Sequence, residues 1–129
     1  MSTTTKQPRI LVVEDDSSLL MAVTKKLQLN NFIVDNARSV DDALDVMQSG
    51  PVDVVWLDHY LFGAKDGLDF VTAVKAHKDW RHTPIYIVSN TASDDKVKSY
   101  IKLGVAKYYV KADHRLADII NEIQAHVHA

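Results

Sequence analysis

Cysteine is absent from the 129 residues, which excludes a disulfide framework and thiol catalysis and is compatible with a reducing cytosol. No excess of basic charge exists either. Fifteen Lys and Arg stand against seventeen Asp and Glu, a formal net charge of -2, so the surface is not built to neutralise a phosphate backbone and no nucleic-acid partner is expected. No apolar run approaches the roughly 18 to 20 residues that cross a bilayer. The opening "MSTTTKQPR" also lacks the apolar core of a signal peptide. These absences lead to the expectation of a cytoplasmic protein without a membrane partner, with a mobile tail over 1–8 and one domain over 9–129. That length suffices to bury a self-supporting core.

What is present is a repeated alternation. Five short apolar runs rich in β-branched residues recur: "RILVV" (9–13), "FIVDNA" (32–37), "DVVWLD" (53–58), "PIYIVS" (84–89) and "KYYV" (107–110). The first, third and fourth are almost continuously apolar, as strands covered on both faces must be. Between them lie segments of helical spacing. Residues 17–29 place Leu20, Val23 and Leu27 on one stripe and stop at Asn30 and Asn31. The segment 39–49 opens on a Ser39/Asp42 capping pair and closes at Gly50–Pro51. Leu68, Val71 and Val74 give 67–77 an inward face. Ser93 and Gly104 bracket 94–103, which carries Val97, Tyr100 and Ile101. The last helix shows Leu116, Ile119, Ile120, Ile123 and Val127 on one stripe, with Asp113 as its expected cap. Five β-α units with right-handed crossovers predict a doubly wound, five-stranded parallel α/β sheet in the flavodoxin-like order 2-1-3-4-5. Its site should lie beyond the carboxyl ends of strands 1 and 3, where the winding reverses.

The residues just past the strands form a short inventory. Strand 1 ends in Glu14, Asp15 and Asp16, strand 3 in Asp58, strand 4 in Ser89 and Asn90, and strand 5 in Lys111; strand 2 offers nothing evident. Carboxylates crowded into one pocket raise one another's pKa. A hard divalent cation removes that cost, and Mg²⁺ (or Mn²⁺ in its place) takes carboxylates, a carbonyl and water while leaving room for phosphate oxygens. Three carboxylates, one lysine and one such cation sum to zero charge. The same set is equipped for phosphoryl transfer to aspartate: Asp58 as nucleophile, held rigidly by a packed strand, with the equatorial oxygens neutralised around it.

With this order and spacing, "ILVVEDD", "VVWLD", "IYIVSNTA" and "GVAKYYVKA" resemble the receiver domain of bacterial two-component response regulators over residues 9 to about 127. The resemblance implies a role for each matching residue. Asp58 is the phosphoacceptor. Asp15 is a direct metal ligand, Glu14 acts through water, and Tyr60 lends its backbone carbonyl. Ser89 is the switch hydroxyl, Lys111 pairs with phosphate, and Tyr108 is the rotating aromatic. The resemblance further implies a sensor histidine kinase or histidine phosphotransfer protein as donor. Output is then by protein contact through the face of helix 94–103, strand 107–110 and the last helix.

Several positions depart from the family pattern. Ala112 stands where proline usually follows the lysine, and a trans bond, or a strained cis bond, is expected there. The loop "HYLFGAKDG" carries Phe62 in place of proline and is one residue longer. Asn90 and Tyr60 flank the path of attacking water and are expected to tune phosphoryl lifetime. His59, adjacent to Asp58, points to the opposite face and is expected to support helix packing. The remaining histidines read as solvated surface. Two other functions stay open at this point. A haloacid-dehalogenase-type phosphatase uses a second aspartate where this chain has Tyr60. A pseudo-receiver scaffold would bind partners without phosphorylation.

Overall fold

The computed structural model describes residues 7–91 and 93–127. Five parallel strands lie in the order β2-β1-β3-β4-β5. They are β1 (Arg9–Val13), β2 (Ile33–Ala37), β3 (Val54–Leu57), β4 (Ile85–Ser89) and β5 (Lys107–Val110), alternating with α1 (Ser17–Leu29), α2 (Val40–Ser49), α3 (Gly67–Ala76), α4 (Asp94–Leu103) and α5 (Leu116–Val127). The predicted order and element sequence hold. All four residues of β3 and all five of β4 are buried, which is why their runs are apolar without alternation.

The sheet separates two cores. Leu11, Val13, Val55, Leu57, Ile85 and Ile87 face α2, α3 and α4, against Met47, Phe70, Val74 and Tyr100. Ile10, Val12, Val54, Trp56, Tyr86 and Tyr109 face α1 and α5, against Val23, Leu27, Ile119 and Ile123. This period-two division decides where each side chain beyond a strand end will point.

The helix ends follow local chemistry. Asp16 caps α1 by accepting from the Leu19 N–H at 3.0 Å, which leaves Asp15 free of that duty. Ser39 and Ser93 cap α2 and α4 as predicted. Asn31, at φ 72°, turns the chain after α1, and Gly104, at φ 90°, ends α4 in the left-handed region that glycine enters without cost.

Three expectations are corrected. Asp113 does not cap α5: it lies in a 3-10 turn over Lys111–Asp113, and the Arg115 carbonyl accepts the first α5 bonds, from Asp118 and Ile119. Pro8, assigned to the tail, is buried, and its carbonyl accepts from the Ile33 N–H at 2.9 Å; residues 1–6 lie outside the described residues. His77 is half-buried and stacked on Trp80 at 3.7 Å, rather than solvated. His82, His114 and His126 are exposed, and His128 lies outside the described residues.

Candidate functional site

Register delivers the acids. Val13 pairs with Leu57, so Glu14 and Asp58 leave neighbouring strands side by side, tied by the Asp58 N–H to the Val13 carbonyl at 2.9 Å. Glu14, Asp58 and Lys111 continue the parity of Val12, Trp56 and Tyr109 and therefore emerge on the α1/α5 side. Lys111 Nζ donates to Glu14 Oε1 at 2.8 Å and lies 3.4 Å from Asp58 Oδ2. Glu14 and Asp58 are buried, at 1 % and 5 % exposure. Burial pushes the Glu14 carboxyl up, and the charge of Asp58 pushes the same way, while the Lys111 hydrogen bond opposes both. Asp15 completes the group: one oxygen from each of Glu14, Asp15 and Asp58 lies within 4.8 Å of the others. An all-oxygen, carboxylate-rich donor set of this size fits a hard divalent cation.

Two further networks adjoin this cluster. On the β4 side, Ser89 is fully buried and its Oγ accepts from the Thr91 N–H at 3.3 Å. The Thr91 carbonyl in turn accepts from Tyr108 Oη at 2.7 Å, so Thr91 joins the two residues expected to switch. Tyr108 is half-buried, its ring 5.7 Å from that of Tyr100. On the β2 side, Arg38 donates through Nε and Nη2 to the Asp15 carbonyl at 3.2 and 2.8 Å, with its guanidinium 4.9 Å above the Phe62 ring. Strand 2 was expected to contribute nothing, and this is a correction. The signal was available: Arg38 is the first residue past β2, at the same edge as the acids.

A family model described as "Response regulator receiver domain" matches residues 10–124. The chain belongs to that family. Curated relatives agree with this membership. The transcriptional regulatory protein PrrA of Mycobacterium tuberculosis is 30% identical over 97% of this chain and 52% of its own length. The chemotaxis protein CheY-3 of Vibrio cholerae is 28% identical over 82% of each. The chain thus spans about half the length of PrrA. Among solved structures, the non-phosphorylated HemR receiver domain of Leptospira biflexa has a TM-score of 0.83 at 22% identity, covering 93% of this chain and 94% of that one. The Mn(2+)-bound form of response regulator Rcp1 has a TM-score of 0.77 at 23% identity, covering 92% and 90%. At these identities the structural likeness establishes the fold.

The structure also places the remaining positions noted in the sequence. Phe62 pairs with Ser39 in an isolated bridge, and its N–H donates to the Arg38 carbonyl at 3.1 Å, so the loop after β3 is joined to the β2–α2 turn. Tyr60 is exposed, its hydroxyl held by Lys96 Nζ at 3.2 Å. Asn90 is exposed at the end of β4. The peptide before Ala112 is trans, and no cis bond occurs among the described residues. No described helix is long and apolar enough to cross a membrane. His59 faces the helices as expected, but the side chain it meets was not foreseen: its Nδ1 lies 2.6 Å from Tyr100 Oη. Burial lowers the His59 pKa, the Asp66 carboxylate opposing. Burial likewise pushes the Tyr100 phenol up.

Proposed function

We propose that this receiver is a phosphoacceptor switch in which Asp58 takes a phosphoryl group from a phosphohistidine of a sensor kinase or phosphotransfer protein. The observation that carries the reading is the convergence of Glu14, Asp15, Asp58 and Lys111 from three strands onto one small volume. When bound by Glu14, Asp15, Asp58 and the Tyr60 carbonyl, a divalent cation such as Mg²⁺ supplies neutralisation and orientation of phosphoryl oxygens; the Mn(2+)-bound Rcp1 relative supports a metal of this class. The chain's own groups do the rest. The His59 N–H holds Asp58 Oδ1 at 2.8 Å, fixing the carboxylate plane for in-line attack. One Asp58 oxygen forms the new bond to phosphorus as the P–N bond of the donor breaks, and the electron pair returns to the donor imidazole. Lys111 then exchanges Glu14 for the incoming phosphoryl oxygens, and the Ser89 hydroxyl donates to another.

The switch follows from Thr91. Drawing Ser89 toward the phosphoryl group removes the acceptor of the Thr91 N–H, the β4–α4 loop shifts, and the Tyr108 bond to the Thr91 carbonyl is lost. The surface of α4, β5 and α5 changes with it, and a downstream protein binds one state better. Asn90 and Tyr60 flank the site and set the lifetime of the adduct. Phosphatase turnover is disfavoured because the place of the acid/base aspartate holds Tyr60, whose hydroxyl is engaged by Lys96. The reading is therefore a switch with self-directed chemistry. A cytoplasmic location belongs to the same proposal, as does the domain span, which the buried Pro8 extends to 8–129.

Incubation with Mg²⁺ and acetyl phosphate, followed by intact mass, tests it. One added phosphoryl group is expected, absent from Asp58→Asn and absent with EDTA. An adduct that persists in Asp58→Asn, or no adduct in the wild type, defeats the proposal.

A further inference from the structure

The carboxylate of Asp58 is tied to more than its metal-side neighbours. The next residue, His59, continues the parity of Val55 and Leu57 and enters the core beneath α3 and α4. Its imidazole is 3 % exposed, with Nδ1 2.6 Å from Tyr100 Oη and the two rings edge to face at 5.7 Å. Tyr100 is the only buried residue of α4. With the imidazole neutral, the phenol donates to Nδ1, and the remaining ring proton on Nε2 faces Asp66 Oδ2 at 3.8 Å.

The same point is occupied from a third direction. The Gly67 N–H donates to the His59 carbonyl at 2.9 Å, joining the start of α3 to the end of β3. A Cβ on Gly67 would lie 2.3 Å from Tyr100 Oη and 3.0 Å from the Asp58 carbonyl. Glycine is thus what lets the α4 hydroxyl reach the peptide of the phosphoacceptor. Backbone, α3 and α4 meet in one small, closely packed volume.

We propose that His59 and Tyr100 are positioning residues for Asp58, whose mutual hydrogen bond fastens the β3–α3 turn to the middle of α4 and transmits a change at Asp58 to that helix. The inference rests on the phosphoacceptor reading above. Its physical basis is the bond from the His59 N–H to Asp58 Oδ1 at 2.8 Å. In an acyl phosphate the negative charge moves from the carboxyl oxygens to the phosphoryl oxygens, so this N–H loses its charged acceptor. The 58–59 peptide then readjusts, and the imidazole carries the adjustment to Tyr100. This path enters α4 at its centre, whereas the Ser89–Thr91–Tyr108 path enters through the loop before it.

The test compares wild type with Tyr100→Phe, His59→Leu, their double variant and His59→Asn, which keeps a hydrogen-bonding atom near the place of Nδ1. Each is treated with Mg²⁺ and acetyl phosphate. Two quantities are read: the rate of phosphoryl gain by intact mass, and the hydrogen exchange of the α4 amides before and after. Tyr100→Phe and His59→Leu should each slow labelling by about three- to tenfold, the equivalent of one net hydrogen bond. Each should also lose the part of the wild-type change in α4 exchange that falls on the amides around Tyr100, the part at the start of the helix remaining. The double variant should be no worse than either single one, and His59→Asn should recover both readouts. Should His59→Leu fail to fold, Tyr100→Phe, which keeps the ring, decides. Wild-type rate and wild-type α4 response in Tyr100→Phe overturn the inference alone. No phosphoryl gain in the wild type overturns it together with the reading on which it rests.

Discussion

Neutralising Asp58 should make the metal-free protein more stable, and the size of the effect can be worked from three distances. Asp58 shares its volume with Glu14 and Asp15, each with an oxygen within 4.8 Å, and has Lys111 at 3.4 Å. At an effective dielectric of about 20, a unit-charge pair at that outer limit is worth roughly 3.5 kcal/mol, and one at the Lys111 distance roughly 5 kcal/mol. Two repulsions against one attraction leave a net penalty of about 2 kcal/mol. Asp15 is only half-buried, so its share is screened, and about 1 kcal/mol is a fair lower figure. The asparagine of Asp58→Asn keeps a carbonyl oxygen for the His59 N–H, but a neutral one, and the weakening of that bond moves the net gain toward the lower figure. In EDTA, Asp58→Asn should therefore melt above wild type by about 4 to 8 °C for a domain of this size. Mg²⁺ at a hundredfold excess over its Kd should then stabilise wild type by about 2.7 kcal/mol. The variant, with one carboxylate fewer, should gain much less, so the two melting curves should close or cross. Differential scanning fluorimetry in EDTA and in a Mg²⁺ series reads both quantities. If Asp58→Asn melts at or below wild type without metal, or gains as much from Mg²⁺, the three acids do not share one site.

Other outcomes follow from the same geometry. The Glu14 carboxyl is held above its ordinary value by burial. A group with a raised folded-state pKa contributes stability that is complete below its unfolded value and is lost as pH rises through the folded one. Metal-free wild type should accordingly gain melting temperature on acidification from neutral pH toward the ordinary glutamate range, and Glu14→Gln should flatten that part of the profile. Gly67→Ala should cost about 1–3 kcal/mol through overpacking, and adding Tyr100→Phe should recover part of it by removing the hydroxyl 2.3 Å from the new Cβ; urea denaturation of the single and double variants checks this. Arg38→Ala frees the Asp15 carbonyl from two hydrogen bonds and should weaken Mg²⁺ binding by about tenfold, the equivalent of about 1.4 kcal/mol, with little change in far-UV circular dichroism. Unchanged Mg²⁺ affinity would show that the loop holds Asp15 without Arg38.

How far the sequence reaches toward this site depends on the range of the interaction concerned. Strands β1, β3 and β4 were legible because burial on both faces leaves almost only apolar residues. Period two then carries Glu14, Asp58 and Lys111 to one side of the sheet from nothing more than their distance past Val12, Trp56 and Tyr109. Helix ends were legible where the cap is local, as at Ser39, Ser93 and Gly104. They failed at Asp113, where an intervening 3-10 turn uses up the residue before α5 begins. What stayed hidden are the contacts made by the irregular segments that follow the strands. Arg38 reaches Asp15 across 23 positions of sequence, and His59 reaches Tyr100 across 41. Each depends on how an irregular segment is folded against its neighbour, and helical spacing can place Tyr100 on an inward face without saying where its hydroxyl ends. Gly67 shows the same limit from the other side. In the sequence it opens a helix; in the fold it is the one residue that leaves space for that hydroxyl beside Asp58. The acids and the lysine of such a site are carried by strand ends, which periodicity exposes. What the loops between them bring together follows no such period, and there only the fold tells which side chains meet.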